Sequence, residues 1–230
     1  MIPTRSLARH VLPLALLIMI APVVSRPAAA HSISLFNTGV DANEIPLSGG
    51  SSDPHWSIIA GPGITNPVPA VVVNNQLNFL GTYVQSPDSR WVWADASGVA
   101  ELNSPYTFQL SFDLTGFNPT TATISGSWGV DNDGSILLNG SNPVGSGALT
   151  LDGGDVLSNF TSFHSFQITG GFVSGINTLD FLATDLGAVG ALNVNSLVGT
   201  VSEVPEPSTL VMVAIGAIAV AGFARRPRGG

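Results

Sequence analysis

Between Tyr106 and Leu114 the chain alternates without a break: Tyr106-Thr107-Phe108-Gln109-Leu110-Ser111-Phe112-Asp113-Leu114. A period of two puts Tyr106, Phe108, Leu110, Phe112 and Leu114 on one face and the four polar residues on the other, the pattern of a half-buried strand rather than a helix. From residue 31 to about residue 202 the same grammar recurs, as short apolar segments punctuated by Gly, Pro, Asn and Asp with almost no helical periodicity. This predicts an all-β domain.

Further strands are expected at 56–59, 70–73, 90–94, 121–130, 135–138, 162–168, 178–184 and 192–198, nine in all with the alternating one. Asn132-Asp133-Gly134, Asn139-Gly140, Asp152-Gly153-Gly154 and Gly175-Ile176-Asn177 supply residues that tolerate positive φ between them. A single two-sheet β-sandwich of jelly-roll type accommodates this count. Pro46, Pro54, Pro62, Pro67 and Pro69 make the approach to the main strands rich in loops. Residues 201–207 read as a short linker, and no repeat of solenoid length is present.

The two ends differ from this middle. Arg5 and Arg9 precede an apolar stretch from Val11 to Val24, and Pro27-Ala28-Ala29-Ala30 follows with small residues. That is the pattern of a secretory signal peptide over residues 1–30, cut after Ala30 so that the mature chain begins at His31. An uncleaved N-terminal anchor is the competing reading. There is no cysteine, which removes disulfide scaffolds, thiol nucleophiles and thiolate metal sites. A domain over residues 31–202 must then hold together by burial, which a segment of about 170 residues can manage.

There is also no lysine, and six of the seven arginines lie in the terminal segments. Between residues 31 and 204 Arg90 stands alone against fourteen acids, a net charge of −13. Such a surface repels phosphate backbones, so nucleic acid is excluded as a partner. Divalent cations, neutral sugars and basic surfaces are left.

At the other end, fifteen residues from Leu210 to Ala224 carry no charge, although Gly216 and Gly222 loosen a helix. They rise about 22 Å, short of the roughly 30 Å hydrocarbon core, so this is a marginal transmembrane helix. Arg225, Arg226 and Arg228 would stay on the cytoplasmic side. A plain anchor and a buried core helix compete with this reading, but a core helix would not end in three arginines beside a Pro-Glu-Pro linker.

Val204-Pro205-Glu206-Pro207-Ser208, the apolar span and the basic cluster Arg225, Arg226 and Arg228 resemble, in order and spacing, the PEP-CTERM sorting signal of bacterial exported proteins. The resemblance covers Val204 to Arg228, within a sorting segment taken as 203–230, and implies recognition by an exosortase-type enzyme and cleavage near Pro-Glu-Pro. It also implies transient insertion in the inner membrane on the way to the envelope or extracellular matrix. The host would be a Gram-negative bacterium, usually one with an exopolysaccharide locus.

Inside the domain, residues 124–140 read as a hairpin: a strand ending Trp128-Gly129-Val130-Asp131, an Asn132-Asp133-Gly134 turn, a second strand, then Asn139-Gly140. This stretch, with Gly175-Ile176-Asn177-Thr178-Leu179-Asp180-Phe181, resembles galactose-binding-like jelly rolls. The resemblance implies a carbohydrate-binding module with Trp91, Trp93, Trp128, Trp56 and Asp131 as the residues that would stack on sugar rings and bond their hydroxyls. Trp91 and Trp93 are two apart on an expected strand and so share a face, either core or platform.

Asp131 and Asp133, with Asp152 and Asp155, are candidate Ca²⁺ ligands; no other cofactor is expected. Asn142 stands where an EF-hand needs its twelfth-position Glu, which excludes that motif. A mature N-terminal His31 paired with His55 or His164 is a copper-site alternative. No Gly-x-Ser-x-Gly elbow, His-Glu-x-x-His or phosphate-binding glycine motif occurs. The reading is a non-catalytic β-sandwich that is exported, sorted and associated with polysaccharide. A structural or adhesive protein without a defined ligand, and a polysaccharide-active enzyme with paired carboxylates, are the alternatives.

Overall fold

The computed structural model describes residues 29–74, 83–99, 103–153, 158–186, 189–204 and 216. In chain order the strands are β1 (Ala30–Ser32), β2 (Ser52–Ala60), β3 (Val68–Val72), β4 (Val92–Trp93), β5 (Pro105–Asp113) and β6 (Phe117–Asp131). They continue as β7 (Asp133–Leu138), β8 (Val144–Gly147), β9 (Thr150–Leu151), β10 (His164–Gly170), β11 (Ile176–Thr184) and β12 (Ala191–Glu203). A four-residue helix, α1 (Ser158–Thr161), precedes β10. Each of the nine expected strands is there. The three additional ones, β1, β8 and β9, are too short or too poor in side chains to show a period.

The strands join antiparallel in one path, β8-β10-β6-β12-β4-β3-β2-β5-β11-β7-β9, with β1 added to β12. The path curls back on itself, so β10, β6 and β12 face β2, β5, β11 and β7 across a shared core, and the two-residue β4 and five-residue β3 carry the sheet round the bend. The architecture is all-β and consistent with a jelly-roll type of sandwich. The expectation of two separate sheets becomes one continuous sheet with two facing halves.

β5 behaves as its alternation dictates: Tyr106, Phe108, Leu110 and Phe112 are buried, while Ser111 and Asp113 are exposed. The halves meet around Phe181 of β11. Its ring takes edge contacts from Trp56 of β2 at 5.6 Å, Trp128 of β6 at 5.2 Å and Phe166 of β10 at 5.9 Å. Edge-to-face aromatic packing of this kind adds about 0.5–1.5 kcal/mol per pair beyond the area buried.

The expected 124–140 hairpin does not form. β6 pairs with β10 and β12, whereas β7 pairs with β11 and β9, so at Asn132 the chain crosses from one half to the other. Asn132 is buried and fastens the corner. Its N–H donates to the Thr184 carbonyl at 3.0 Å, its Oδ1 accepts from the Leu186 N–H at 2.6 Å, and its carbonyl accepts from Asn159 Nδ2 at 2.8 Å. A turn-forming residue served here as a joint. The Asn139-Gly140 turn does form, with φ of 53° and 71° and Leu138 N–H bonded to the Ser141 carbonyl. Residues 201–203, expected in a linker, belong to β12.

Close packing against Trp93 needs a glycine at 190, because a Cβ there would lie 2.3 Å from the indole Cζ2. Gly190→Ala is expected to cost about 1–3 kcal/mol by forcing the indole to move. Denaturant unfolding of the two forms, compared at unchanged m-value, measures it.

Candidate functional site

The aromatic platform expected from the sequence is absent. Trp91, Trp93 and Trp128, and Trp56 with them, have no exposed surface. Trp91 donates Nε1–H to the Val84 carbonyl at 2.9 Å and Trp128 to that of Ala148 at 2.7 Å. Trp93 packs between Tyr106 and Phe108. A sugar ring needs an open indole face, and these faces are covered by other rings. The carbohydrate-stacking role of Trp91, Trp93 and Trp128 is therefore corrected to a core role.

Asp131 is buried as well, and its Oδ2 accepts a hydrogen bond from the Tyr83 hydroxyl. Tyr83 is itself wedged against Trp91 and Phe160, which places Asp131 in an internal network rather than at a binding surface. Asp133 is half-buried at the start of β7 and Asp152 is exposed; Asp155 lies outside the described residues. No group of three or more His, Asp or Glu side chains comes together among the described residues.

What the surface offers instead is a groove of about 510 Å³ across β2 and β5, lined by Phe36, His55, Ser57, Gln109, Ser111 and Asp113 among others. Alternation puts Gln109, Ser111 and Asp113 on the face of β5 opposite its core residues. His55 entered the sequence analysis only as a copper partner for His31 and Phe36 did not enter it; their rings stack in parallel with centroids 3.5 Å apart and planes 2° apart.

Asp53 fixes that pair. It is buried, and its carboxylate accepts from the backbone N–H groups of Gly39 at 2.6 Å, His55 at 2.8 Å and Trp56 at 3.1 Å. Trp56 Nε1–H then reaches the Phe36 carbonyl at 3.0 Å. The loop before β2 is so tied to β2 that Phe36 has to cover His55. Burial raises the Asp53 carboxyl above its ordinary value, against the pull of those three donors.

Under the groove Gln109 Nε2–H donates to Asp180 Oδ1 at 2.8 Å, and burial raises the Asp180 carboxyl too. At the rim Asp113 is held below the ordinary range by the Thr115 hydroxyl and N–H. Asp41, in the loop before β2, is held low in the same way by the N–H groups of Ile45 and Asn43. Arg90 adds no cation to the groove: its Nη1 donates to the carbonyls of Ser86 and Ser89.

Among the described residues His55 stacks on Phe36, His164 Nε2 lies 2.8 Å from the Ser158 carbonyl, and His31 Nε2 faces Glu203.

Of the sorting residues, Val204 is exposed just past β12, with its N–H 3.5 Å from the Gly116 carbonyl. Pro205, Glu206, Pro207, Ser208, Arg225, Arg226 and Arg228 lie outside the described residues, as do residues 1–28 of the signal segment and the 210–224 span except Gly216. Among the described residues no helix is long and apolar enough to cross a membrane. Ala30 and His31, which flank the expected signal cleavage, are in β1.

Residues 203–228 match the PEP-CTERM protein-sorting motif. No curated protein matches the chain. Among solved structures, a crystal structure of an apo form cyclase from Fischerella sp. is similar with a TM-score of 0.41 and 13% identity, covering 76% of this chain and 97% of that one.

Asp41, Asp53, Asp113 and Asp180 give the domain a pH signature. Asp53 and Asp180, raised in the fold, contribute stability that grows as pH falls from neutral toward the ordinary value of 3.8 and is complete below it. Asp41 and Asp113, lowered in the fold, contribute above 3.8 and lose that contribution as pH falls further. Thermal unfolding is expected to show its highest midpoint on the acid side of neutrality, with part of the acid-side gain missing in Asp180→Asn. A midpoint falling steadily from pH 7 downward contradicts this.

Proposed function

We propose that the chain is a non-catalytic envelope or matrix protein of a Gram-negative bacterium that associates with exopolysaccharide through the groove over β2 and β5. Export and sorting by an exosortase-type enzyme rest on the motif at residues 203–228, and that match carries the reading. Residues 1–30 are taken as the leader, 31–202 as the working domain and 203–230 as the sorting segment, whose apolar span enters the inner membrane in transit.

Three features support the glycan reading. The groove combines hydroxyl, amide and carboxylate groups on its strands with the half-buried ring of Phe36, a mixture that serves the hydroxyls and the C–H faces of sugars. Asp113 at its mouth has its carboxyl held below the ordinary range, and residues 31–204 carry a net charge of −13 with their one arginine turned to backbone carbonyls. The ligand of such a surface is a neutral glycan; a uronate-rich polymer would be repelled unless a divalent cation bridged the two.

A glycan array with and without Ca²⁺ tests this. Gln109→Ala and Asp113→Ala are expected to lower affinity for neutral glycans by about tenfold each, the effect of losing a hydrogen bond to a charged or buried partner. Equal binding by the parent and both variants, or none to any glycan, favours the structural protein without a defined ligand. Turnover of purified exopolysaccharide would instead favour the enzyme. Sorting is checked separately by the mass of the mature protein: residues 223–230 are expected to be missing from most molecules, and their retention removes the processing step.

A further inference from the structure

The two ends of the domain lie side by side. β1 pairs with the end of β12 in the register Ala30↔Ser202, His31↔Val201 and Ser32↔Thr200, and the Ile33 N–H continues the ladder to the Gly199 carbonyl at 2.9 Å. Because the pair is antiparallel, going back from Ala30 and forward from Ser202 leads off the sheet in one direction from one place. There His31 Nε2 is 3.0 Å from Glu203 Oε1, and the His31 ring packs on Phe117 with centroids 5.4 Å apart. The bond expected to be cut by a signal peptidase, Ala30–His31, lies within β1, and the matched sorting motif begins within β12.

We propose that residues 31–32, released as a new N-terminus when the leader is removed, form a strap that closes on the last strand and sets where the folded domain ends and the sorting segment begins. The proposal rests on leader cleavage after Ala30. A peptidase needs residues 30–32 extended and off the sheet. Water then cleaves the Ala30–His31 amide, leaving a carboxylate on Ala30 and an α-ammonium on His31. The freed segment settles on Thr200 and Val201 and brings a cation to Glu203, in a domain rich in acids and otherwise almost devoid of cations.

Without the strap, β12 beyond Gly199 is an edge held by β6 alone, through Thr200↔Thr123, Ser202↔Asn118 and Glu203↔Phe117. With it, residues 200–202 are flanked on both sides. The ladder parity gives a single-atom reporter. Ile33 and Gly199 form a hydrogen-bonded pair, so His31 and Val201 do too and the Val201 N–H faces the strap. The next amide, of Ser202, faces the other way and donates to Thr121 Oγ1 at 2.9 Å.

The chain has no cysteine, so Ser32→Cys with Thr200→Cys, at a facing and exposed non-hydrogen-bonded pair, locks the strap cleanly. The full chain, the locked pair and His31→Asp, which opposes Glu203 with a like charge, are exported and the mature proteins isolated. Each is assayed for N-terminal residue, C-terminal mass and hydrogen exchange at the Val201 amide.

The expected result is an N-terminus at position 31 in all three and exchange at Val201 about fivefold faster in His31→Asp, as for loss of one exposed ion contact. Exchange is expected to be slower than the parent in the locked form, and trimming into residues 200–203 should occur in His31→Asp alone. Equal Val201 exchange and equal C-termini in all three, with the N-terminus at position 31, overturn the strap and leave the leader reading standing. An N-terminus at any other position overturns both.

Discussion

The ring of Phe181 is where the two halves of the curled sheet become one structure. Trp56 and its own strand neighbours approach it from one side, Trp128 and Phe166 from the other. The chain has no disulfide to close the bend and almost no cation to pair its acids, so apolar burial bears the load. Four fully buried tryptophans are consistent with that dependence: each brings large apolar area, and three place their indole N–H on a backbone carbonyl. The residues that looked most like a binding platform are the ones that fasten the core.

Polar residues follow the same logic at the places where the chain changes direction. Asn132 fastens the crossing between β6 and β7. Asn177 is buried, donates to the carbonyls of Val173 and Gly175, and accepts from the Val173 N–H and Asn139 Nδ2. Asp53 does the equivalent for the loop that carries Phe36. A buried amide or carboxylate is tolerated only when its bonds are met, and loop backbone is the nearest source of partners.

Strand identity was legible because β5 and its neighbours each bury one face, and a period of two survives in the sequence whatever the strand pairs with. Pairing was less legible. Asn132-Asp133-Gly134 has the composition of a hairpin turn, yet partners from β10, β11 and β12 claim both flanking strands. Gly145 and Gly147 lie so close to the β10 backbone that neither position has room for a side chain, and β8 left no pattern to read. The groove was half visible: its strand residues followed from alternation, while Phe36 entered from a loop.

The sequence by itself determined that the domain is built of strands, that it is acidic with a single internal arginine, and that a sorting motif closes the chain. These are properties of local order and composition, which need no knowledge of the fold. Only the tertiary structure decided that Trp91, Trp93 and Trp128 point inward, that Phe36 and His55 wall a groove, and that His31 lies against Val201. Alternation tells which residues share a face but not which face is covered, and the covering groups here come from strands far apart in sequence.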